Sequence, residues 1–226
     1  MLLTLVMPVF VLLVFRLGPM TPLRAQKAFS GMPDLICPGT AAYTLLLLTT
    51  IVFNSFGGDG GGIQLFYASP VRFRHIFLGK NLVHAAVLTA NVSVAWIVIT
   101  WFYGMPRLAV TLGTITGLLF ATPLNFAVGN LLSVYFPKKR DFSTFGRKNV
   151  SQTAVLISLV LLAAIIGVGI GVFAIARMMD NLWIAPLCFA LLAASSIPAY
   201  GMILHRLDAI AVERRETMLE ELCRTA

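Results

Sequence analysis

Charge is scarce in this chain. Asp, Glu, Lys and Arg make up 12% of its 226 residues, against roughly 25% in a soluble domain. An ordinary water-facing surface is therefore excluded. The long apolar blocks hold no Asp, Glu, Lys or Arg away from their ends. Proton-coupled pumps and intramembrane proteases need ionisable groups at depth, so this absence argues against both. Cysteine is also sparse. Cys37, Cys188 and Cys223 form no C-x-x-C pair, which leaves no zinc site and no disulfide framework. Catalytic patterns are missing as well: there is no Ser/His/Asp arrangement in a plausible context and no H-E-x-x-H. The Gly79-Lys80 pair is not a phosphate loop, because Arg74 stands where the first glycine belongs and Asn81 where Ser or Thr belongs. The chain is not expected to be an enzyme, and it calls for no cofactor and no metal.

What it has in excess is apolar residues, 58% of the chain with a mean hydropathy of +0.89. They fall into blocks of the length that crosses a hydrocarbon core about 30 Å thick. Six spans are expected, at residues 1–15, 35–53, 82–103, 108–136, 153–176 and 182–204. Unbroken apolar runs of this length are economical only as helices, since barrel strands alternate polar and apolar residues. The fold class is therefore all-α and polytopic. A signal peptide is the rival reading of residues 1–15. No basic segment precedes them and no small-x-small cleavage site follows, so a retained span is expected.

The net charge of +8 does not indicate nucleic acid, because the basic residues sit in short loops between apolar blocks rather than in one patch. Twelve Lys and Arg fall in the 2–3 loop, the 4–5 loop and the tail, and five on the opposite side. That bias places both termini in the cytoplasm. The expected layout is a six-span domain over residues 1–204, cytoplasmic loops at 54–81 and 137–152, and an amphipathic tail at 205–226. The fourth block is 29 residues long, about 43 Å as a helix, and holds Pro123. One kinked or tilted helix is expected, with a broken helix as the alternative. Gly113 and Gly117, and Gly167 and Gly171, are each four apart, a spacing that lets a second helix come close. Packing within the chain is preferred to a dimer seam.

The 2–3 loop carries most of the local information. Glycines cluster around Asp59, with Gly57 and Gly60 expected to turn the chain at the membrane face. Asp59 is a candidate cap or ion-pair partner. Ile63, Phe66 and Tyr67 follow at helical spacing. Ser69-Pro70 has the form of an N-cap followed by proline at the first helical position, so a helix is expected to start there and run into the third span. Arg72, Arg74 and Lys80 make one side of the segment basic, to face lipid headgroups or acidic groups on a partner. The segment suits a docking element, or equally a connector lying on the membrane surface. In the tail, Leu207, Ile210, Ala211, Met218 and Leu222 have amphipathic spacing. The tail is expected to be helical, as an interfacial helix or as an extension of the sixth span, and peripheral to transport.

Three stretches together resemble the permease subunits of type-2 ABC exporters: "NSFGGDGGGIQLFYASPVRFRHIFLGKNL", "GNLLSVYFPKKRDF" and "ERRETMLEEL". The resemblance spans roughly residues 35–225. It implies six spans per half, a separate cytoplasmic ATPase, a second six-span unit as homo- or heterodimer, and residence in the inner membrane among its lipids. It also implies a coupling helix within residues 63–75, which makes Ile63, Phe66, Tyr67, Ser69, Pro70, Arg72 and Arg74 the candidate coupling residues. Gly79, Lys80 and Asn81 would open the next helix. Such permeases begin with a connecting helix ahead of the first span, which is absent here. The expectation is a shortened form or the C-terminal half of a longer permease. The alternatives are a non-transport membrane scaffold or assembly protein, or an intramembrane enzyme built on His84, Asn91, Asn125 and Asn130.

Overall fold

A computed structural model describes residues 33–139 and 151–223. Seven α-helices run through them: α1 (Pro33–Val52), α2 (Ile63–Ala68), α3 (Phe73–Tyr103), α4 (Leu108–Tyr135), α5 (Gln152–Met178), α6 (Ile184–Glu213) and α7 (Arg215–Cys223). A 3-10 turn at Gly60–Gly62 leads into α2, and no strand occurs among the described residues. Helices α3, α4, α5 and α6 are each long and apolar enough to cross a membrane, so the chain is a multi-pass membrane protein. The expectation of six spans is met in part. The second expected span is α1, whose apolar stretch, Asp34–Thr49, is shorter than the other four. The first, residues 1–15, lies outside the described residues, as does most of the expected 4–5 loop.

The fourth block forms one unbroken helix with Pro123 inside it. Helix α4 is the hub, pairing most extensively with α6 and also with α1. Small residues allow this. A side chain at Gly113 would meet the Phe173 ring at 3.2 Å and Ala185 at 3.4 Å. A side chain at Gly129 would meet Val52 Cγ1 at 2.5 Å and the Phe53 ring at 3.2 Å. The central core gathers Leu45, Leu48, Leu88, Phe120, Phe126 and Phe189 from α1, α3, α4 and α6.

Two further clusters mark the bundle's ends. At one end Cys37, Ala95 and Ile99 pack together, and Asp34 accepts the Arg107 backbone N–H (3.2 Å) and pairs with its Nε (3.3 Å). At the other end α1 stops, α3 starts, and α4 and α6 stop. There the connector joining α1 to α3 folds against all of them and against α7. With 31 residues α3 is about 46 Å long, well beyond a core of about 30 Å. Its first turns therefore stand in this connector end.

Candidate functional site

The connector is built into the bundle. Past Val52 the chain is held by Asn54, whose Nδ2 donates to the Lys138 carbonyl (2.9 Å). The Phe56 N–H donates to Ser133 Oγ (3.3 Å), and its ring is wholly buried. Gly57 sits where a Cβ would strike the Asn54 side chain and the Lys138 carbonyl. Gly60 has φ +50°, a left-handed conformation that favours glycine. These two glycines are structurally required. Gly61 has open space around it.

Asp59 makes no cap; it pairs with Lys80. The Lys80 ammonium lies 2.5 Å from Asp59 Oδ2 and 2.9 Å from the Ser55 carbonyl. It also stands 4.9 Å from the centre of the Phe56 ring and 5.9 Å from that of Phe66. Cation–π attraction strengthens as water is excluded, and both members of the pair are about three-quarters buried.

Helix α2 presents two faces. Ile63 is wholly buried, and Phe66 and Tyr67 are half-buried against the same core. The Tyr67 hydroxyl donates to the Ala211 carbonyl (2.8 Å) and lies 3.3 Å from Met218 Sδ. Burial pushes its pKa up to about 12, partly opposed by Arg215 over the ring. The outer face holds Gln64, Leu65 and Ala68, and Leu65 is 73% exposed. The two aromatics expected to reach a partner therefore turn inward, and an aliphatic residue is left outside.

Two local expectations are corrected. Ser69 ends α2 rather than starting α3: its backbone is extended and its hydroxyl accepts the Val71 N–H (3.2 Å). Helix α3 begins at Phe73, and Arg72 before it makes no side-chain cap. The Arg74 N–H is instead accepted by Asp208 Oδ1 of α6 (2.8 Å), a cap delivered from 134 residues away. Lys80 and Arg74 are consequently engaged within the chain, the latter with Asp208 and His205, whereas Arg72 is exposed, as is Pro70. Gly79, Lys80 and Asn81 lie inside α3, not at its opening.

The tail is likewise part of the core. Leu207, Ala211, Met218 and Leu222 have essentially no exposed surface and share a cluster with Phe56, Ile63, Phe73 and Phe77. The amphipathic spacing is correct, and the first part of the tail extends the sixth span, since α6 runs on to Glu213.

A polar seam runs along α3, where Asn81, His84 and Asn91 are buried at near-heptad spacing with Leu88, Ala95 and Ile99. Asn81 Nδ2 donates to the Tyr200 hydroxyl (2.8 Å), and Asn125 Nδ2 donates to Thr49 Oγ1 (2.8 Å). The four residues weighed for an enzyme thus split between the α3 seam and α4. Among the described residues no cluster of His, Cys, Asp or Glu could hold a metal ion. Asp208 and Tyr200 carry roles that sequence reasoning missed. The available signal was an acid and a phenol on the face of α6 that also carries Leu207 and Ala211.

No protein-family model, curated protein or solved structure matches this chain.

Proposed function

We propose that the chain is the membrane-spanning subunit of an ATP-driven exporter of the ABC type. In this reading it has six spans, with both termini, the connector and the tail on the cytoplasmic side. It works with a separate ATPase and a second six-span unit, and it performs no catalysis of its own. The observation that supports the reading is the mounting of α2. Six residues are fixed by Ile63, Phe66 and Tyr67 to a core shared with α3, α4, α6 and α7, and Gln64, Leu65 and Ala68 are left outward. Force applied to the outer face passes through the Tyr67–Ala211 hydrogen bond to α6 and through the Phe56, Phe66 and Phe73 rings to α3. A helix tied in this way moves the bundle when a partner moves it, as a coupling helix must.

The docking contact is therefore reassigned to Leu65, next to the exposed Gln64; Arg72 is exposed as well. A buried interface anchor commonly contributes 2 kcal/mol or more, which is more than tenfold in affinity. Leu65→Glu should reduce co-purification of an ATPase at least tenfold, with insertion and monodispersity unchanged. A neutral Leu65→Glu removes the coupling assignment. If the unmodified protein brings down no ATPase from its native membrane, the exporter reading itself fails and a scaffold becomes the better account.

A further inference from the structure

Helices α3 and α4 follow each other in sequence yet touch little. The space between them, closed on one side by α6, is a groove of about 880 Å³, within the 300–1,000 Å³ typical of ligand sites. Its walls are apolar, formed by Ala85, Leu88, Val92 and Leu118, and its outer edges, Leu82 and Ile115, are exposed. In a bilayer such a groove opens sideways into lipid. Thr89 and Thr114, which also line it, turn their hydroxyls back onto helix carbonyls.

Ser93, Thr111 and Thr122 also line the groove, as does Trp96, whose Nε1 has no hydrogen-bond partner; toward the connector end the lining carries a polar pair. Asn81 is 2% exposed; its Nδ2 is taken by the Tyr200 hydroxyl, and its Oδ1 has no hydrogen-bond partner. An amide oxygen left unpaired in an apolar setting bears the full cost of its lost hydration. Tyr200 accepts from Asn81 and keeps its own proton to donate, so the pair offers one acceptor and one donor. A single hydroxyl or amide group satisfies both. No charged side chain lines the groove among the described residues, so an ionised head would lie unpaired, at a high desolvation cost.

Depth selects the shape of the ligand. Asn81 is eight residues into α3, about 12 Å from its start. With the helix centred, about 8 Å of it projects beyond a 30 Å core, so Asn81 lies just below the connector-side interface. From there the groove follows α3 toward Trp96, about 22 Å further along the helix. We propose that this groove binds an uncharged single-chain amphiphile, a long-chain alcohol or monoacylglycerol, with its hydroxyl on Asn81 and Tyr200 and its alkyl chain between α3 and α4. That the amphiphile is cargo rests on the exporter reading; its binding does not.

The test uses the full chain in nanodiscs with a monoacylglycerol carrying a diazirine in its acyl chain. Labelling should be saturable, map to α3 and α4, and be competed by unlabelled monoacylglycerol but not by the corresponding fatty carboxylate. Asn81→Leu should reduce it at least tenfold. Tyr200→Phe, which removes one hydroxyl and keeps the ring, should reduce it severalfold in protein of unchanged monodispersity. Full labelling of Tyr200→Phe overturns the proposal. So does unsaturable labelling spread over α5, which marks bulk lipid only, or equal competition by the carboxylate. A disulfide between Leu82→Cys of one copy and Ile115→Cys of another that excludes the probe assigns the groove to an interface between copies and also overturns it. Intact labelling without any associated ATPase removes the cargo role alone.

Discussion

The connector end and helix α5 are built on opposite rules. Helix α5 is the most apolar of the four long helices, yet only 11% of its apolar window is buried, against 44% for α4. Its hydrophobic residues, among them Leu156, Leu159, Val160 and Ile170, mostly face outward. The connector end mixes Asp59, Lys80, Arg74 and Asp208 with nine buried apolar side chains and holds the densest ring contacts among the described residues. In lipid, hydropathy therefore reports which surface faces the bilayer, whereas rings, amides and paired charges report where the chain packs against itself. Packing between helices in a bilayer depends on close contact and hydrogen bonding rather than on apolarity.

The sharpest way to break this contrast is at α7. Ending the chain after Arg214 removes Met218 and Leu222, both wholly buried in the connector core. Truncating a buried Leu or Met costs about 2–5 kcal/mol, so a loss of about 4 kcal/mol or more is expected. Thermal or denaturant unfolding in detergent measures it. Unchanged stability would return α7 to the periphery and leave the connector without its lid.

A smaller effect is expected at Gly129, where α1 crosses α4. Its replacement by Val places a Cβ against Val52 and the Phe53 ring, neighbours held on a helix that cannot swing away alone. Overpacking of this kind costs about 1–3 kcal/mol. The same unfolding measurement checks it, and a neutral result would mean that α1 is loosely seated.

These sites separate what was legible in the sequence from what was not. The long helices were legible because each apolar block satisfies its own backbone. Pro123 did not end α4, a result in line with the reading of one helix at 108–136. The burial of Ile63, Met218 and Leu222 followed helical periodicity, but the destination of their faces did not. An amphipathic stripe beside a membrane looks alike whether it meets lipid, a partner or the chain's own connector. The start of α3 was misplaced because Ser69-Pro70 satisfies the local cap rule while the acceptor actually used, Asp208, comes from a distant helix. Lys80 and Arg74 were read as outward for the same reason: their acids, Asp59 and Asp208, become neighbours only after folding. The Asn81–Tyr200 pair joins positions 119 residues apart and was beyond local reasoning altogether.

Tyr67 sharpens the contrast through pH. Its phenol is held neutral by burial, with a pKa pushed from the ordinary 10.0 up to about 12. The folded state thus holds this proton more tightly than the unfolded chain does. The associated stability is fully present below about pH 10 and is lost as pH rises toward 12. Tyr67→Phe removes the hydrogen bond to Ala211 and should cost about 1 kcal/mol at neutral pH. Across pH 10–12 the variant should lose less stability than the unmodified protein. Parallel curves in that window would show that the hydroxyl is not sheltered at the connector end.

The smallest effect belongs to α5. The two glycine pairs looked equivalent as four-residue spacings, but they are used differently. Gly113 and Gly117 admit Phe173, Ala185 and Phe189 from the same chain, whereas a Cβ at Gly167 or Gly171 would meet nothing within 4 Å. The glycines of α5 therefore carry the helix cost of glycine, up to about 1 kcal/mol relative to alanine, without a packing return from the described chain. Gly167→Ala should leave stability unchanged or raise it by less than about 1 kcal/mol, while Gly113→Ala should lower it, because the Phe173 ring must give way. The opposite order in unfolding measurements would mean that α5 is packed, not lipid-facing. A stable Gly167→Ala protein that loses its association with a second membrane chain would identify the bare face of α5 as the surface that chain covers. In that case the low burial of α5 reflects an absent neighbour, and hydropathy alone cannot distinguish a lipid-facing helix from one awaiting its partner.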